Sequence, residues 1–381
     1  METIQQLKAE IQKSAATADE AGRKEIMNAL RDLQYSVEKP EDTMQRVIHL
    51  SYPSSECTGS EAFRYPWEEC FASESGGAAF KTGAEGRLLG RILRMLSSLG
   101  IIKETGTDEF TSSTTSNNLL APEIQAGLRH PRPRLPILPS FLSSTHYQTP
   151  TETHKAAFQK AWNTDLSLWS WFQSRPKETA QFDQFMLAQR SSTPNCFNFF
   201  PADIEEECAN WPAEKAVFFD IGGASGQQCI EFRRRFPGMR GRVIFQDLKG
   251  EIEDAVAKGL PEGVEAMIHD FYEPQVIKGA NIYYLRAILH DHADDKARLI
   301  LKNIMQAMDK DSLILLDEMV LPNEGVDWFA TQTDLTMLAA FGSSERTESQ
   351  WCKLLEEVGL KVRRILTYTH SFRLSIIVAG L

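Results

Sequence analysis

The chain has 381 residues, of which 42% are hydrophobic and 24% are charged, a composition typical of a soluble folded protein long enough for two domains. Its formal net charge of −11 at pH 7 argues against non-specific nucleic-acid binding, which a basic surface favours. No apolar run approaches the roughly 20 residues of a membrane span, and the N-terminus lacks a signal-peptide core, so we expect a cytoplasmic protein without a membrane partner.

The N-terminal part of the chain is predicted to be mainly helical. Apolar residues of 1–50 recur three and four positions apart, and 86–99 repeats this spacing until Gly100 ends it. The next stretch, 101–120, is predicted to form a β-hairpin. A helix followed by a hairpin favours a winged-helix arrangement, and because no basic stripe is present we expect it to mediate dimerisation rather than DNA binding.

A proline-rich segment follows. Residues 130–150 are predicted to be a linker or an extended arm, since proline removes backbone donors and disfavours helix in the residue before it. The pattern leaves open the roles of His130 and His146, which lie in this segment. The helices predicted over 151–190 are rich in Phe and Trp, which indicates core packing but leaves open a wall for a flat substrate.

The most informative stretch is 216–227, AVFFDIGGASGQ. Its apolar residues lead into Asp220, which is typical of a strand buried on both faces of a parallel sheet. Gly222, Gly223 and Gly226 follow, and glycines allow a tight turn and a close approach of the backbone to a ligand. A helix is predicted directly after them, so the segment has the strand–turn–helix order of a nucleotide-binding α/β domain.

Predicted strands and helices alternate through the rest of the chain. Repeated β–α–β units imply a parallel sheet with right-handed crossovers. The last two strands, 361–368 and 372–379, are joined by a turn too short for a crossover, so the final strand is predicted to be antiparallel. The other predicted elements are strands 242–247, 264–270, 280–286 and 312–317 and helices 248–257, 294–308, 328–341 and 348–358.

Polar residues close several of these strands. Ligands of open α/β sheets bind beyond the carboxyl ends of the strands, so Asp220, Asp247, Asp270 and Arg286 are expected to meet at one edge. Asp247 follows the glycines by about 20 residues, where a carboxylate can accept hydrogen bonds from a ribose, and Phe271 offers a ring that can stack on a base. Each Asp could instead be an ordinary turn residue, so the joint placement carries the prediction.

In this order the motifs resemble those of the plant and fungal small-molecule O-methyltransferases of the caffeate O-methyltransferase type, which use S-adenosylmethionine (SAM). The glycine motif D-x-G-G-G-x-G departs at Ala224, a change that the turn is expected to tolerate. Arg286 replaces the family's Lys, and His292 replaces its Trp. The family segments F-D-L-P, G-D-F/M, K-x-I-L-H-D-W, E-R-T and F-x-x-x-M correspond to 246–249, 269–271, 286–292, 345–347 and 182–186.

The resemblance implies a fold and a setting. The expected fold is α/β, with a Rossmann-like seven-stranded methyltransferase sheet whose last strand is antiparallel, and a mostly helical winged-helix dimerisation domain. The expected domains are 1–150, which includes the proline-rich arm, and 151–381, which binds SAM. The implied protein is a homodimer of fungal secondary metabolism that methylates a phenol or enol hydroxyl of a small aromatic, polyketide or alkaloid molecule.

The resemblance also implies residue roles. His290 takes the position of the general base, and Glu318 and Glu345 match the two acids that flank and orient it. The cofactor-binding positions are Asp220, Gly222, Gly223, Gly226, Asp247, Leu248, Asp270, Phe271 and Arg286. The acceptor-binding positions are Phe182, Met186, Asp291 and Met337.

A histidine base suits methylation of a phenol. A phenol with a pKa near ~10 is a weak nucleophile at neutral pH, and a histidine with a pKa near ~6.5 can accept its proton as the methyl group transfers. A carboxylate on the other ring nitrogen fixes the tautomer. The sulfonium methyl is already activated, so we expect no metal. His290 is predicted to open a helix, where its structural alternative is a residue of the helix cap.

Three other functions compete with this one. Some fungal relatives use bound SAM as a fixed positive charge for dehydration or pericyclic ring formation, and His292 and the arm with His130 and His146 leave room for such an activity. An NAD-dependent oxidoreductase is disfavoured because G-x-G-x-x-G is absent. A DNA-binding regulator is disfavoured by the acidic composition.

Overall fold

A computed structural model describes residues 2–39, 42–43, 46, 100–106, 109–119, 137–146, 150, 155–191, 194–324, 326, 328–369 and 372–381. These residues form two compact units, one from 1–131 and 176–192 and the other from 132–175 and 193–381. None of the described helices is both long and apolar enough to cross a membrane. The helix predicted over 86–99 and the residue His130 lie outside the described residues.

The described elements are numbered in chain order. The helices are α1 (Glu2–Thr17), α2 (Glu20–Val37), α3 (Thr114–Leu119), α4 (Leu138–Ser144), α5 (Ala157–Trp162), α6 (Leu168–Gln173), α7 (Pro176–Ser191), α8 (Ala202–Ala209), α9 (Gln227–Arg235), α10 (Lys249–Lys258), α11 (Asp294–Met305), α12 (Trp328–Phe341) and α13 (Glu348–Val358). The strands are β1 (Ile102–Gly106), β2 (Glu109–Ser112), β3 (Ala216–Ile221), β4 (Arg242–Asp247), β5 (Val264–Ile268), β6 (Ile282–Arg286), β7 (Leu313–Leu321), β8 (Arg346–Thr347), β9 (Lys361–Thr367) and β10 (Leu374–Gly380).

The first unit contains the predicted N-terminal helices and the predicted hairpin. Strands β1 and β2 pair antiparallel, with Lys103 opposite Thr111. The hairpin was expected to reach residue 120, but it ends at Ser112 because α3 follows at once. Ser113 begins that helix, where its hydroxyl accepts a hydrogen bond from the Ser116 backbone N–H at 3.2 Å. The winged-helix arrangement stays a prediction.

The first described residues of the second unit form short helices. The proline-rich segment was predicted to be a linker or an extended arm, yet its described part contains the helix α4, with a proline in the first turn, where a missing N–H costs nothing. Phe141 of α4 packs with Ala157 of α5 and Ala339 of α12. Burial of this apolar face explains why the segment is helical despite its prolines.

The second unit is built on one mixed sheet in the order β5–β4–β3–β6–β7–β10–β9, with the two-residue β8 beside β7. Strands β3 to β7 are parallel, and β10 runs antiparallel to both β7 and β9, as predicted. Alternate residues of β3 face two cores, with Phe218 in one and Phe219 in the other. This explains why β3 is an unbroken apolar run and not an alternating one.

Candidate active site

The glycine turn lies at the carboxyl end of β3. The backbone N–H groups of Gly222 and Gly223 both donate to the Gln246 carbonyl at 2.9 Å, which ties the turn to β4. Gly222 and Gly226 have φ angles of +73°, in the left-handed region that favours glycine. Ala224, the departure from the family motif, also has a positive φ of 46°. The turn therefore keeps its shape although Ala224 adopts a left-handed backbone conformation, which is unfavourable for a residue with a Cβ.

The turn is too crowded for side chains. A Cβ on Gly222 would lie 2.5 Å from Ile288 Cδ1, and a Cβ on Gly226 would lie 2.7 Å from Phe245 Cε1. A Cβ on Gly223 would lie 2.7 Å from Asp220 Oδ2. These positions require glycine for packing as well as for backbone conformation, so the turn presents bare backbone at the edge of the sheet.

Two carboxylates flank the glycine turn. Asp220 is buried, and its Oδ2 has no hydrogen-bond partner within the described part of the chain. Burial raises the pKa of Asp220 to about 7, with Asp247 and Asp317 adding to the increase against the opposing charge of Arg286. Asp247 accepts hydrogen bonds from the backbone N–H groups of Ala224, at 2.8 Å, and Leu248, at 2.7 Å. Burial nevertheless raises the pKa of Asp247.

Aromatic residues follow β5. Asp270 Oδ1 accepts a hydrogen bond from the Tyr272 backbone N–H at 2.9 Å, and this turn carries Phe271 beside it. The Tyr272 hydroxyl lies 2.9 Å from His292 Nδ1, and the Phe271 ring meets the His292 ring edge to face at 5.5 Å. Burial and the neighbouring cations lower the pKa of His292 to about 4, so the ring is neutral. Sequence reasoning missed Tyr272, although it stands next to Phe271.

His290 was predicted to open a helix, but it lies in a separate 3₁₀ turn, Leu289–Asp291, that precedes α11. His290 Nδ1 lies 2.8 Å from Glu345 Oε1, and His290 Nε2 lies 3.5 Å from Asp291 Oδ1. Glu318 Oε1 accepts hydrogen bonds from the backbone N–H groups of Ile288 and Leu289, at 3.0 and 2.8 Å. Glu345 thus holds the ring and Glu318 holds the turn that carries it.

The protonation of this cluster depends on charge and burial together. Burial lowers the pKa of His290, but the negative charges of Glu345, Asp291 and Glu318 outweigh it and raise the pKa to about 10. Burial raises the pKa of Glu318 to about 7. The Oε2 atoms of Glu318 and Glu345 have no hydrogen-bond partner among the residues that the structure describes.

Two residues that sequence reasoning missed support the cluster. Asp334 of α12 accepts a hydrogen bond from the Glu345 backbone N–H at 2.8 Å. Arg346 donates to the carbonyls of Leu289, at 2.8 Å, and His292, at 2.7 Å. Of the two, only Arg346 could have been recognised from the sequence, because it is the second residue of the E-R-T segment.

The remaining predicted residues are distributed over both units. Arg286 ends β6, and its Nε lies 3.3 Å from Asp317 Oδ2. Met337 lies on α12, a helix that contacts the Leu289–Asp291 turn. Phe182 and Met186 lie on α7, which belongs to the first unit. The second unit therefore brings together the predicted base, its two acids and the glycine turn.

Comparisons with known proteins agree with this geometry. The O-methyltransferase domain family model matches residues 150–361. The chain is 38% identical to O-methyltransferase lepI of Aspergillus flavus, over 97% of each chain. It is 37% identical to demethylsterigmatocystin 6-O-methyltransferase of the same species, over 97% of this chain and 95% of the relative.

Solved structures are also similar to this chain. A structure of LepI in complex with SAM is 36% identical, with a TM-score of 0.74, over 100% of this chain and 99% of that one. A structure described as a pericyclic reaction enzyme has the same identity and TM-score over 100% of both chains. The sheet order, the glycine turn and these matches agree, and the chain belongs to the O-methyltransferase domain family.

Proposed function

We propose that this protein is a SAM-dependent O-methyltransferase that methylates a phenol or enol hydroxyl of a small secondary metabolite, with His290 as the general base. The contact between His290 Nδ1 and Glu345 Oε1, at 2.8 Å, carries the proposal. A carboxylate that accepts from Nδ1–H leaves Nε2 as the proton acceptor when the ring is neutral. Asp291 Oδ1, 3.5 Å from Nε2, adds an oxygen that could orient the acceptor hydroxyl.

The residues at the glycine turn fit the cofactor. The turn offers backbone where a Cβ would clash, and Asp220 Oδ2 is a buried acceptor without a partner among the described residues, suited to a cationic amine. We propose that SAM is held by Asp220, Gly222, Gly223, Gly226, Asp247, Leu248, Asp270, Phe271 and Arg286. When bound, SAM supplies an activated methyl group, and the chain's own task is to align the acceptor and remove its proton.

The proposed acceptor is aromatic. Met337 of α12 would supply apolar surface to a flat ring, and Asp291 would bind its hydroxyl. The acceptor-binding roles of Phe182 and Met186 stay predictions from the family resemblance. One relative is named for methylating demethylsterigmatocystin, and that name supports a secondary metabolite as the acceptor. We propose 151–381 as the catalytic domain and 1–150 as the dimerisation domain, bounds that differ from those of the two compact units, in which 132–150 belongs to the second unit and 176–192 to the first.

His290→Ala tests the assignment of the base. We expect turnover to fall by roughly 10²–10⁴-fold, because general base catalysis contributes about that much. Cofactor affinity, measured by calorimetry with SAM, should stay near the wild-type value because His290 lies outside the proposed cofactor-binding set. Turnover within about tenfold of the wild type would show that His290 is not the base.

The likeness to a structure described as a pericyclic reaction enzyme supports a second candidate, a pericyclase or dehydratase that uses SAM without methyl transfer. The retained His290 and both glutamates favour methyl transfer. Incubation with methyl-labelled SAM and candidate acceptors distinguishes the two functions. Label that moves to the acceptor supports methylation, whereas cyclisation of the acceptor with all label left on SAM supports the second candidate.

We also propose that the protein is a homodimer. Helices α1 and α2 expose large apolar side chains, among them Ile4, which is 70% exposed, and Val37, which is 71% exposed. Exposed apolar helix faces of this kind are typical of association surfaces.

A further inference from the structure

We infer that Asp317, held by Tyr284 and Tyr368, positions Arg286 and cancels its charge so that the site can accept a cationic cofactor. The inference rests on the proposed function, because Arg286 belongs to the proposed cofactor-binding set. It assigns a role to three residues that no motif singled out. Asp317 lies on β7, beside Arg286 on β6, and the two residues are direct neighbours in the parallel ladder.

Three side chains contact the Asp317 carboxylate, namely those of Tyr284, Tyr368 and Arg286. The Tyr284 hydroxyl donates to Asp317 Oδ2 and the Tyr368 hydroxyl donates to Asp317 Oδ1, both at 2.6 Å. Arg286 Nε lies 3.3 Å from Asp317 Oδ2, and the Asp317 side chain is fully buried. Burial and the charge of Asp317 raise the pKa values of both tyrosines, so both hydroxyls remain donors. The carboxylate is therefore fixed before any ligand arrives.

The other end of Arg286 is left for a ligand. Its Nη atoms make no hydrogen bond to any residue that the structure describes, and 17% of the side chain is exposed. A guanidinium has five N–H donors in a fixed plane, so the ion pair that holds Nε near Asp317 also restrains where the Nη donors lie. A lysine, which the family has here, is a point charge and needs no such orientation. An arginine at position 286 is therefore better oriented with a fixed carboxylate such as Asp317 beside it.

Charge supplies the second part of the inference. The sulfonium, ammonium and carboxylate of SAM sum to one positive charge, whereas S-adenosylhomocysteine (SAH) lacks the sulfonium charge and is neutral. An unpaired Arg286 beside the cofactor would repel SAM more than SAH. Because Asp317 neutralises Arg286, this residue offers hydrogen-bond donors to the cofactor without adding a positive charge next to the sulfonium.

Calorimetric titration of SAM and of SAH into wild type, Asp317→Asn and Asp309→Asn tests the inference. Asp309 precedes β7, at the end of that strand away from the proposed cofactor site, and its Oδ2 pairs with Lys215 Nζ at 3.0 Å. Asp309→Asn is the control because it also removes one carboxylate charge from an ion pair. In Asp317→Asn we expect the Kd of SAM to rise about fivefold to tenfold more than the Kd of SAH. In Asp309→Asn the ratio of the two constants should equal the wild-type ratio.

The outcomes separate this inference from the proposed function. Failure of the wild type to bind SAM or SAH would overturn both. Binding by the wild type with an unchanged SAM-to-SAH ratio in Asp317→Asn would overturn only the role of Asp317.

If Asp317→Asn does not fold, Tyr284→Phe and Tyr368→Phe test the role of Asp317 instead, because each variant removes a hydroxyl group and no charge. We expect both to weaken SAM and SAH alike, by about threefold to tenfold, because Arg286 loses its fixed direction. Lower thermal stability with unchanged affinity for both ligands would mean that the cluster only supports the fold, and would overturn the inference.

Discussion

Opposing effects act on His290. Burial alone would lower the pKa of His290, but Glu345, Asp291 and Glu318 raise it to about 10. The unliganded ring is therefore protonated at neutral pH and becomes a base as the pH rises through that value. Activity that uses His290 as the base should therefore rise with pH towards that value.

Replacing Glu345 by Gln should change both the rate and its pH dependence. Loss of the negative charge lowers the pKa of His290, so the acid limb of kcat/KM should move to lower pH. Loss of the fixed tautomer should reduce kcat by roughly 100-fold. Initial rates over a pH series measure both effects.

Glu357→Gln is the control, because Glu357 is partly exposed and pairs with Arg298 at 2.7 Å. That variant should keep the wild-type profile. An acid limb that does not move in Glu345→Gln would mean that Glu345 does not control the protonation of His290.

For single residues, the position of a residue on its predicted element could be read from the sequence, whereas its contacts with residues far away in the chain could not. Asp247 and Asp270 could be identified because each follows a strand in a fixed order. The contact of Tyr284 with Asp317 joins residues far apart in sequence, and no spacing reveals it. Arg346 and Asp334 were missed for the same reason: their roles depend on elements that meet only after folding.

Among the elements, β7 shows how side-chain partners affect where a strand ends. Most strand bounds could be predicted from apolar runs, but β7 was expected to stop at Asp317 and continues to Leu321. A pair of acids is typical of a strand end. Here the tyrosine hydroxyls donate to both oxygens of Asp317, and backbone N–H groups donate to Oε1 of Glu318, so both acids stay inside the strand.

Gly226→Ala should destabilise the protein strongly. The new Cβ would lie 2.7 Å from Phe245 Cε1 at a φ of +73°, so strain and overpacking add. We expect a loss of about 2–4 kcal/mol in the free energy of unfolding, measured by urea denaturation. Gly238→Ala is the control, because nothing lies within 4 Å of its Cβ position, and it should be near neutral. Equal stability of the two variants would contradict the crowding of the turn.

For the whole molecule, the proposed homodimer depends on the apolar faces of α1 and α2. The pattern of the first 50 residues predicted amphipathic helices, and α1 and α2 confirm them. What covers their apolar faces could not be predicted, because an amphipathic pattern shows that a face is to be buried and not by what.

Leu30→Glu on α2 should weaken the proposed homodimer. Leu30 is 42% exposed, and a charge at a buried interface is costly. Sedimentation should show a dimer for the wild type and more monomer, of 43.0 kDa, for the variant. Asn28→Glu places the same charge at another exposed position of α2 and should leave the dimer intact. A monomeric wild type would refute the homodimer.

The position of β10 has a consequence for biosynthesis. It lies between β7 and β9, yet it follows every other described strand of this sheet in sequence, so it leaves the ribosome after all of them. Until then one side of β7, a fully buried apolar strand, has no partner. Unpaired apolar edges favour aggregation, so we expect the nascent chain to depend on chaperones until the final hairpin closes.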